Sequence, residues 1–570
     1  MIRSVAIRRR PANAVALPGL HPVVARVLAA RGQTVAPDYS LKSLLPPSLS
    51  GLASAADILA GAIMRGESIL VVGDFDADGA TGTALAVRAL TSLGARRVRW
   101  LVPDRFRHGY GLSTALVAEI EPPVPEVLLT VDQGVSSIAG VDAARARGMQ
   151  VVVTDHHLPG PELPAAEAIV NPNLVGENFG STALAGVGVM FYTALALRAR
   201  LRELGWFQRR PEPRLDQWLD LVALGTVADL VPLDENNRRL VYQGLARMRA
   251  GRCSHGVRAL LEIAGRNLSY IQAADLGFAA GPRLNAAGRL EDMSVGIRCL
   301  LADSERTARA LATELDQLNA QRRAIQADMQ KNAESQVEAL MAEVDGEVRG
   351  LCVFHPDWHQ GVVGLVAGRL MERLQRPVIA FAPAEAGGDE LKGSGRSPAG
   401  LHMRDLLVEI DTARPGLIDR FGGHARAAGL SLRSDRLDAF RSGFDSCLAR
   451  HEFGSERVET DGPLKPEELN VLTAEALEKS GPWGQSWPEP LFDGRFKVQE
   501  RRIVGEAHLK LRLQPEAGGP ALDAIAFRAG RLLRDELPDP LHVTYRLELN
   551  RWQGRVNPQL NIQHLVSESV

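Results

Sequence analysis

Three carboxylates, Asp74, Asp76 and Asp78, alternate through the stretch SILVVGDFDADGATG, directly after the β-branched run Ile69 to Val72. Like charges so close repel one another, and a divalent cation is their natural partner; oxygen-rich ligation favours Mg²⁺ or Mn²⁺. The spelling D-x-D-x-D-G also opens a calcium loop, but that loop needs a bidentate glutamate at its twelfth position, and Leu85 stands there. Further on, the run Val127 to Val131 ends in Asp132, and Gln150 to Thr154 ends in Asp155, His156 and His157. Asp229 interrupts the apolar segment LVALGTVADLVPL, where a buried carboxylate requires a partner.

The elements that must position these groups follow from the spacing. Short apolar runs alternate with Ala/Leu-rich helical patterns: a helix from Leu52 to Met64, a strand to Val72, a helix from Thr83 to Leu93, then strands Val98 to Val102, Val127 to Val131 and Gln150 to Thr154. Alternation of this kind predicts a parallel sheet, and such sheets bind ligands beyond the carboxyl ends of their strands. Each strand named above that ends in an acid or imidazole delivers it to that edge.

At 570 residues the chain has room for roughly three or four domains. With 45% hydrophobic and 24% charged residues it has the balance of an ordinary globular protein, and a net charge of −2 confines any nucleic-acid contact to a local groove. Cys253, Cys299, Cys352 and Cys447 are scattered without a C-x-x-C pair, so neither a disulfide framework nor a zinc site is predicted. No segment has the apolar length of a membrane span and MIRSVAIRRRPANAV lacks a secretory core, so the expected compartment is the cytoplasm.

The four blocks GDFDADG, VDQG, DHH and GTVADLVPL resemble, in order and type, the motifs of the DHH phosphoesterase superfamily, which includes family II pyrophosphatases, small-oligonucleotide phosphodiesterases and RecJ nucleases. The resemblance implies a centre of two Mn²⁺ or Mg²⁺ ions held by Asp76, Asp78, Asp132, His156 and Asp229, with Asp132 bridging and Asp74 beside it. His157 is then the group that contacts the scissile phosphate or donates a proton. Many members carry histidine four residues before the first ligand aspartate; this chain has Val72, which leaves one ion more weakly held or held by Asp74.

From Val241 to Leu301 a helical pattern is expected, interrupted by FAAGPRLNAAGRLED, whose Arg283, Asn285 and Arg289 form a polar cluster. That block resembles the G-P-R-x-N-A-x-G-R signature of RecJ nucleases and implies phosphate contact. Ala302 to Asp345 hold neither Gly nor Pro, with Leu311, Leu315, Leu318, Ile325 and Met329 at helical spacing, and predict a helix of about 40 residues bridging two domains. A second α/β unit starts at Gly350. Its W-H-x-G-V-V-G, G-S-G-R-S and G-G-H-x-x-A-A-G blocks resemble the DHHA1 domain, which implies that Ser394, Arg396 and His424 hold the substrate. Arg105, in PDRFRHGYG, joins Ser394 and Arg396 at the terminal 5′ phosphate by the same resemblance, with Tyr110 placed to block longer entry. After about Glu456, alternating runs such as HLKLRLQP and HVTYRLELNRWQG predict a small antiparallel barrel; the resemblance implies an OB-fold tracking single-stranded DNA. Of Trp483, Trp487 and Trp552, only Trp552 is favoured for base stacking.

The expected fold class is therefore α/β, a parallel-sheet DHH domain and a second α/β DHHA1 domain joined by a long helix, followed by an OB barrel. The expected divisions are an N-terminal arm packed on the first domain (1–45), the catalytic domain with a helical extension (46–301), the connecting helix (302–346), the substrate domain (347–455) and the barrel (456–570). The resemblance implies a monomeric 5′-to-3′ exonuclease of single-stranded DNA acting in repair and recombination, meeting single-stranded-DNA-binding protein and a helicase. The alternatives are a phosphodiesterase of short or cyclic nucleotides, which needs neither the long helix nor the barrel, and an inactive replication scaffold, which need not keep the acidic blocks.

Overall fold

The computed structural model describes residues 4–11, 17–343, 348–385, 387–452, 457–505, 507–533 and 538–566; the expected junctions at 346/347 and 455/456 lie outside them. The first sheet is wholly parallel, in the spatial order Arg97–Leu101, Ser68–Val72, Val127–Val131, Gln150–Thr154, Ala168–Val170. The Ser68–Val72 and Val127–Val131 strands are buried along their whole length, as a sheet covered on both faces requires. Strand order reverses between these two, so Asp74 and Asp132 leave the sheet on either side of its topological switch point. Ala168–Val170, an edge strand of three residues, is absent from the sequence expectation.

Two expectations are corrected here. The helix after the first strand begins at Ala77 rather than Thr83, because Asp76 caps it by accepting the N–H groups of Asp78 and Gly79. FAAGPRLNAAGRLED interrupts the helical region only at its end, where Glu291 and Asp292 leave the helix. Ala273–Asp275, a π-helical turn Leu276–Ala280 and Gly281–Leu290 follow without a break, and Pro282 sits in the first turn of the last piece, where its missing N–H costs little.

The long helix spans Glu305–Glu343, 39 residues, about 60 Å at 1.5 Å per residue. Its first half buries Ala308, Ala312, Leu315 and Leu318 in the catalytic core, and its second half buries Met329, Ala333 and Val337 against the next domain. One helix thus belongs to two cores and fixes their separation. The second domain is a mixed sheet in the order Arg420–Gly423, Ala427–Arg433, Glu390–Arg396, Val378–Pro383, Leu351–Phe354.

In the last domain, Phe492–Val504, His508–Pro515, Leu522–Ala526, Arg555–Val566 and Leu541–Trp552 close into a barrel, the last pairing with both Arg555–Val566 and Phe492–Val504. The N-terminal arm packs on both the barrel and the first domain: Ser4–Val5 pairs with Leu565 and Val566, Ile7–Arg9 pairs with Val458–Thr460, and Val23, Val24, Val27 and Leu28 enter the barrel core with Phe492 and Phe496, while Tyr39 stacks on Tyr242 and Leu41, Leu44 and Leu45 pack against the catalytic core. Arg31 seals the join by pairing with the buried Asp461 at 2.8 Å. Trp483 and Trp487 stack on each other beneath Arg31 and are structural. No helix among the described residues is long and apolar enough to cross a membrane.

Candidate metal centre and phosphate pocket

Beyond the switch point the predicted acids converge. Three groups of ligand atoms, each lying within 4.8 Å of one another, overlap: Asp74, Asp76 and Asp132; Asp132, His156 and His157; and Asp78, His156 and Asp229. Asp132 and His156 each belong to two groups, which is the arrangement of adjoining cation sites with shared ligands. Nε2 of His156 lies 3.1 Å from Asp132 Oδ1, 3.5 Å from Asp229 Oδ2 and 4.0 Å from Asp78 Oδ2. Asp74 Oδ1, Asp132 Oδ1 and His156 Nε2 are buried without a hydrogen-bond partner. Orphaned acceptors facing one point fit a divalent cation, and five carboxylates with one or two imidazoles fit Mn²⁺ or Mg²⁺.

Electrostatics say the same. Burial, reinforced by the charge of Asp76, pushes Asp74 up to about 8 and Asp78 up to about 7. Burial, followed by the charges of Asp78 and Asp76, holds Asp132 and Asp229 well above the usual carboxylate range. Burial and the neighbouring His157 bring His156 down to about 4, so its imidazole is neutral and available as a ligand.

The backbone is shaped to this end. Asp132 has φ of 64°, a left-handed conformation that a non-glycine residue adopts only when its surroundings enforce it. Gly186 lies so close that a Cβ there would stand 2.5 Å from Asp132 Oδ1. Asp78 is anchored at the start of the Gly186–Glu203 helix, its oxygens accepting the N–H groups of Gly186 at 2.6 Å and Val187 at 3.0 Å. Val72 is fully buried in its strand and turns no ligand toward the centre, whereas Asp74 does.

His157 is oriented by Asp155, a residue outside the predicted site. Asp155 Oδ1 lies 2.8 Å from His157 Nδ1, and Asp155 Oδ2 accepts the N–H of Val135. Burial works against the imidazolium, but the hydrogen bond and charge of Asp155 outweigh it and raise His157 to about 8. The Tyr110 hydroxyl stands 3.0 Å from the His157 ring, while its own ring is half in solvent. Phe75, buried between the acids in GDFDADG, was also missed; its ring carries the Arg105 guanidinium at 4.0 Å. The signal for both was adjacency to predicted ligands.

The predicted phosphate contacts divide. Arg105 donates from Nε to the Gly288 carbonyl, Arg289 from Nη1 to the Gly361 carbonyl, and Arg396 from Nη1 to Ser394 Oγ. None of the three arginines has a carboxylate at ion-pair distance among the described residues. Burial, then the charges of Arg105, Arg322 and Arg396, brings Arg289 down to about 10. A Cβ on Gly364 would lie 2.8 Å from Ser394 Oγ and 3.0 Å from Arg396 Nη2, so the start of the Val363–Leu374 helix abuts the same spot. Unpaired guanidinium groups, a hydroxyl and a helix N-terminus together make an anion pocket. It is shared between the two α/β domains. His424 lies on the second domain close enough to His157 to feel its charge. Arg283 is elsewhere: it pairs with Asp316 of the long helix at 2.8 Å and donates to the Ala279 carbonyl, so it holds the frame. Asn285 turns its Oδ1 to the Ala77 N–H, in the metal loop.

Comparison with known proteins agrees with this layout. Residues 68–226 match the model of the DHH family N-terminal domain, 324–450 that of the DHHA1 domain and 460–564 that of the RecJ OB domain. A Dickeya dadantii protein described as single-stranded-DNA-specific exonuclease RecJ is 53% identical, covering 98% of each chain. The Escherichia coli protein of the same description is 50% identical over 99% of this chain and 100% of its own. Among solved structures, RecJ of Thermus thermophilus in complex with Mn²⁺ superposes with a TM-score of 0.80 at 31% identity, covering 100% of this chain and 80% of that one.

Proposed function

Since the chain belongs to the RecJ family of single-stranded-DNA-specific exonucleases, a metal-dependent hydrolase acting in DNA repair, we propose that it removes 5′-mononucleotides one at a time from a 5′-phosphorylated end. The observation that carries the polarity is the anion pocket of Arg105, Arg289, Ser394 and Arg396, joined to the metal centre through Arg105, whose guanidinium rests on Phe75 between the ligands. A terminal phosphate seated there leaves the next phosphodiester over the acids.

Asp74, Asp76, Asp78, Asp132, His156 and Asp229 hold the cations, with Asp132 as the bridge and Asp74 in place of the histidine absent at Val72. Two bound divalent ions neutralise charge on the transferring phosphoryl group and lower the pKa of a coordinated water. His157, protonated below about pH 8 and fixed by Asp155, donates a hydrogen bond to the phosphate or a proton to the leaving oxygen. Tyr110, with its hydroxyl on His157, closes the end beyond the terminal nucleotide, and His424 approaches from the second domain.

The division into catalytic domain, connecting helix, substrate domain and barrel assigns cleavage to the first, the 5′ end to the cleft between the first two and strand retention to the barrel. Cytoplasmic residence, a monomeric state and encounters with single-stranded-DNA-binding protein and a helicase belong to the same proposal, because the substrate arises where duplexes open.

The test is digestion of 5′-phosphorylated single-stranded DNA in Mn²⁺ or Mg²⁺, beside duplex, single-stranded RNA and strands blocked at the 5′ end. Mononucleotides released from the 5′ end of DNA, abolished in Asp132→Ala, are expected. Release from the 3′ end would overturn the polarity, and turnover of short or cyclic nucleotides alone would overturn the substrate.

A further inference from the structure

Asp229 differs from Asp78 in how it is held. Asp78 accepts two backbone N–H groups, but no backbone N–H among the described residues donates to the Asp229 carboxylate, which meets His156 Nε2 at 3.5 Å. Its aim therefore depends on its own backbone. Asp229 closes the Leu219–Ala228 helix, and Leu230 after it has φ of 61°, a left-handed conformation that persists in a leucine only where neighbouring contacts enforce it.

Those contacts come from the barrel domain. Three residues beyond Leu230, the N–H of Leu233 donates to the Gln485 carbonyl at 2.8 Å, and the Leu233 carbonyl accepts Nη1 of Arg238 at 2.9 Å. A Cβ on Gly484 would stand 2.7 Å from Leu233 Cδ1, so the same turn lies directly on this side chain. Arg238 is 5% exposed, has no carboxylate at ion-pair distance among the described residues, and rests on the Trp487 ring at 4.2 Å. A buried cation without a counter-ion is costly, and the aromatic face offsets part of that cost. Gly484 and Trp487 exchange backbone hydrogen bonds at 2.9 and 3.1 Å, so one four-residue turn supplies both the carbonyl and the ring.

The same loop reaches a second ligand. Asn237, fully buried, donates from Nδ2 to the Pro232 carbonyl at 2.9 Å and to the Ala183 carbonyl at 2.6 Å. The next backbone group, at Leu184, hydrogen-bonds the His156 ring, and Gly186 anchors Asp78. Asp78, His156 and Asp229 form one group of ligand atoms and share this frame of loops; Asp74, Asp76 and Asp132 form another and stand just beyond two sheet strands.

We propose, on the two-cation reading above, that the Gly484–Trp487 turn of the barrel domain completes the support of the cation site of Asp78, His156 and Asp229, with Trp487 as a positioning residue acting through Arg238 and Leu233. Freed of the turn, Leu230 relaxes and Asp229 loses its aim, while the group of Asp74, Asp76 and Asp132 keeps its own. The barrel domain thus sets the affinity of one cation and not the other, without touching the DNA strand.

The experiment titrates Mn²⁺ into the full-length protein without DNA and follows the electron paramagnetic resonance of free Mn²⁺, beside single-stranded-DNA affinity in EDTA. Wild-type protein is expected to take up two ions. In Trp487→Ala one site is expected to weaken about 10- to 100-fold, the loss typical of an outer contact to a ligand, with the other site and the DNA affinity unchanged. Trp487→Phe keeps an aromatic face for Arg238 and is expected to recover most of that loss. Arg238→Met, made in the catalytic domain, is expected to weaken the same site and carries the test if Trp487→Ala does not fold. The double variant is expected to be no worse than the more affected single one, because both changes break one link. Equal weakening of both sites, additive losses, or wild-type Mn²⁺ binding in either single variant overturns the positioning role. Uptake of fewer than two ions by wild-type protein overturns the two-cation reading itself.

Discussion

Asn285 accepts the backbone N–H of Ala77 on its Oδ1 at 2.8 Å. This hydrogen bond ties the helix that carries Arg289 in its last turn to the first turn of the helix that contains Asp78, and Gly288 completes the contact, since a Cβ there would stand 1.8 Å from the Phe75 carbonyl oxygen. The metal loop and Arg289, a first-domain part of the anion pocket, are thereby tied together, while Ser394 and Arg396 face them from the second domain. On the reading proposed above, a terminal phosphate seated against Arg289 has its scissile bond registered against the acids through this tie.

Replacing Asn285 with Ala leaves the Ala77 N–H without its acceptor and loosens the turn that aims Asp76 and Asp78. Loss of such an outer contact costs about 10- to 100-fold in metal affinity. The expected result in Asn285→Ala is a rise of that size in the Mn²⁺ concentration for half-maximal activity, with KM for DNA unchanged at saturating metal. A raised KM at saturating metal would instead place Asn285 on the DNA.

Asp132→Asn separates the stability role of the ligands from their catalytic one. In the metal-free protein the Asp132 carboxyl is buried among other acids, which hold it well above its ordinary range. An amide removes that repulsion, so the metal-free Tm is expected to hold or rise. The increase in Tm on adding Mn²⁺, which reports binding to the folded state only, is expected to fall steeply together with cleavage. A metal-induced Tm increase equal to that of wild type would remove Asp132 from the bridge.

The acids at the strand ends were legible because a buried parallel strand offers few places for a carboxylate, and three such strands ended in one. The start of the helix at Ala77 was not, since DADGATG has the composition of a turn and its helical state depends on the Asp76 cap and on Asn285, 208 residues away. Nor could the sequence say which arginine of GPRLNAAGR faces the pocket. Arg283 and Arg289 are six residues apart, about 240° in helical phase, and only the packing of their helix decides that Arg283 turns to Asp316. The arm's seat on the barrel was hidden for a related reason, as its strand Ser4–Val5 pairs with a strand near the other end of the chain, whereas its last residues pack on the first domain that follows them.

The raised carboxyls set the pH response. Asp74 at about 8 and Asp78 at about 7 would titrate near 4 in the unfolded chain. Between those limits the folded, metal-free protein keeps protons that the unfolded chain has lost, so its stability falls as pH rises from about 4 to about 8 and levels off above. Cation binding must displace the same protons, so affinity rises over that window. Thermal scans from pH 5 to 8 are expected to show Tm falling without metal and the Mn²⁺-induced increase growing. A constant increase across the range would mean the carboxyls are already ionised.

Arg31 is nearly inaccessible and pairs with Asp461, whose side chain is wholly buried, at 2.8 Å. Arg10 also reaches Asp461, at 3.0 Å, so Arg31→Met leaves that charge partly compensated. The expected loss is about 3 kcal/mol, the lower end for breaking a buried pair. Denaturant unfolding followed by tryptophan fluorescence checks it, because Trp483 and Trp487 lie under the Arg31 guanidinium. Partial recovery in the double variant with Asp461→Asn is expected, since the stranded charge is then gone.

Arg396 reports on the terminal phosphate. Its Nη1 is held by Ser394 Oγ at 2.9 Å and the Gly395 carbonyl at 2.7 Å, which leaves the other edge of the guanidinium for an anion beside the Val363–Leu374 helix start. A hydrogen bond to a charged group contributes about 1.5–3 kcal/mol, or roughly 10- to 100-fold in rate. For wild type, kcat/KM on a 5′-phosphorylated strand is expected to exceed that on the 5′-hydroxyl strand by about this factor. Arg396→Ala is expected to bring the two together by lowering the first and sparing the second, and Arg396→Lys to recover part of the difference, since a lone ammonium keeps the charge but not the fork. Equal losses on both strands would place Arg396 in the frame of the cleft and take the 5′ phosphate away from it.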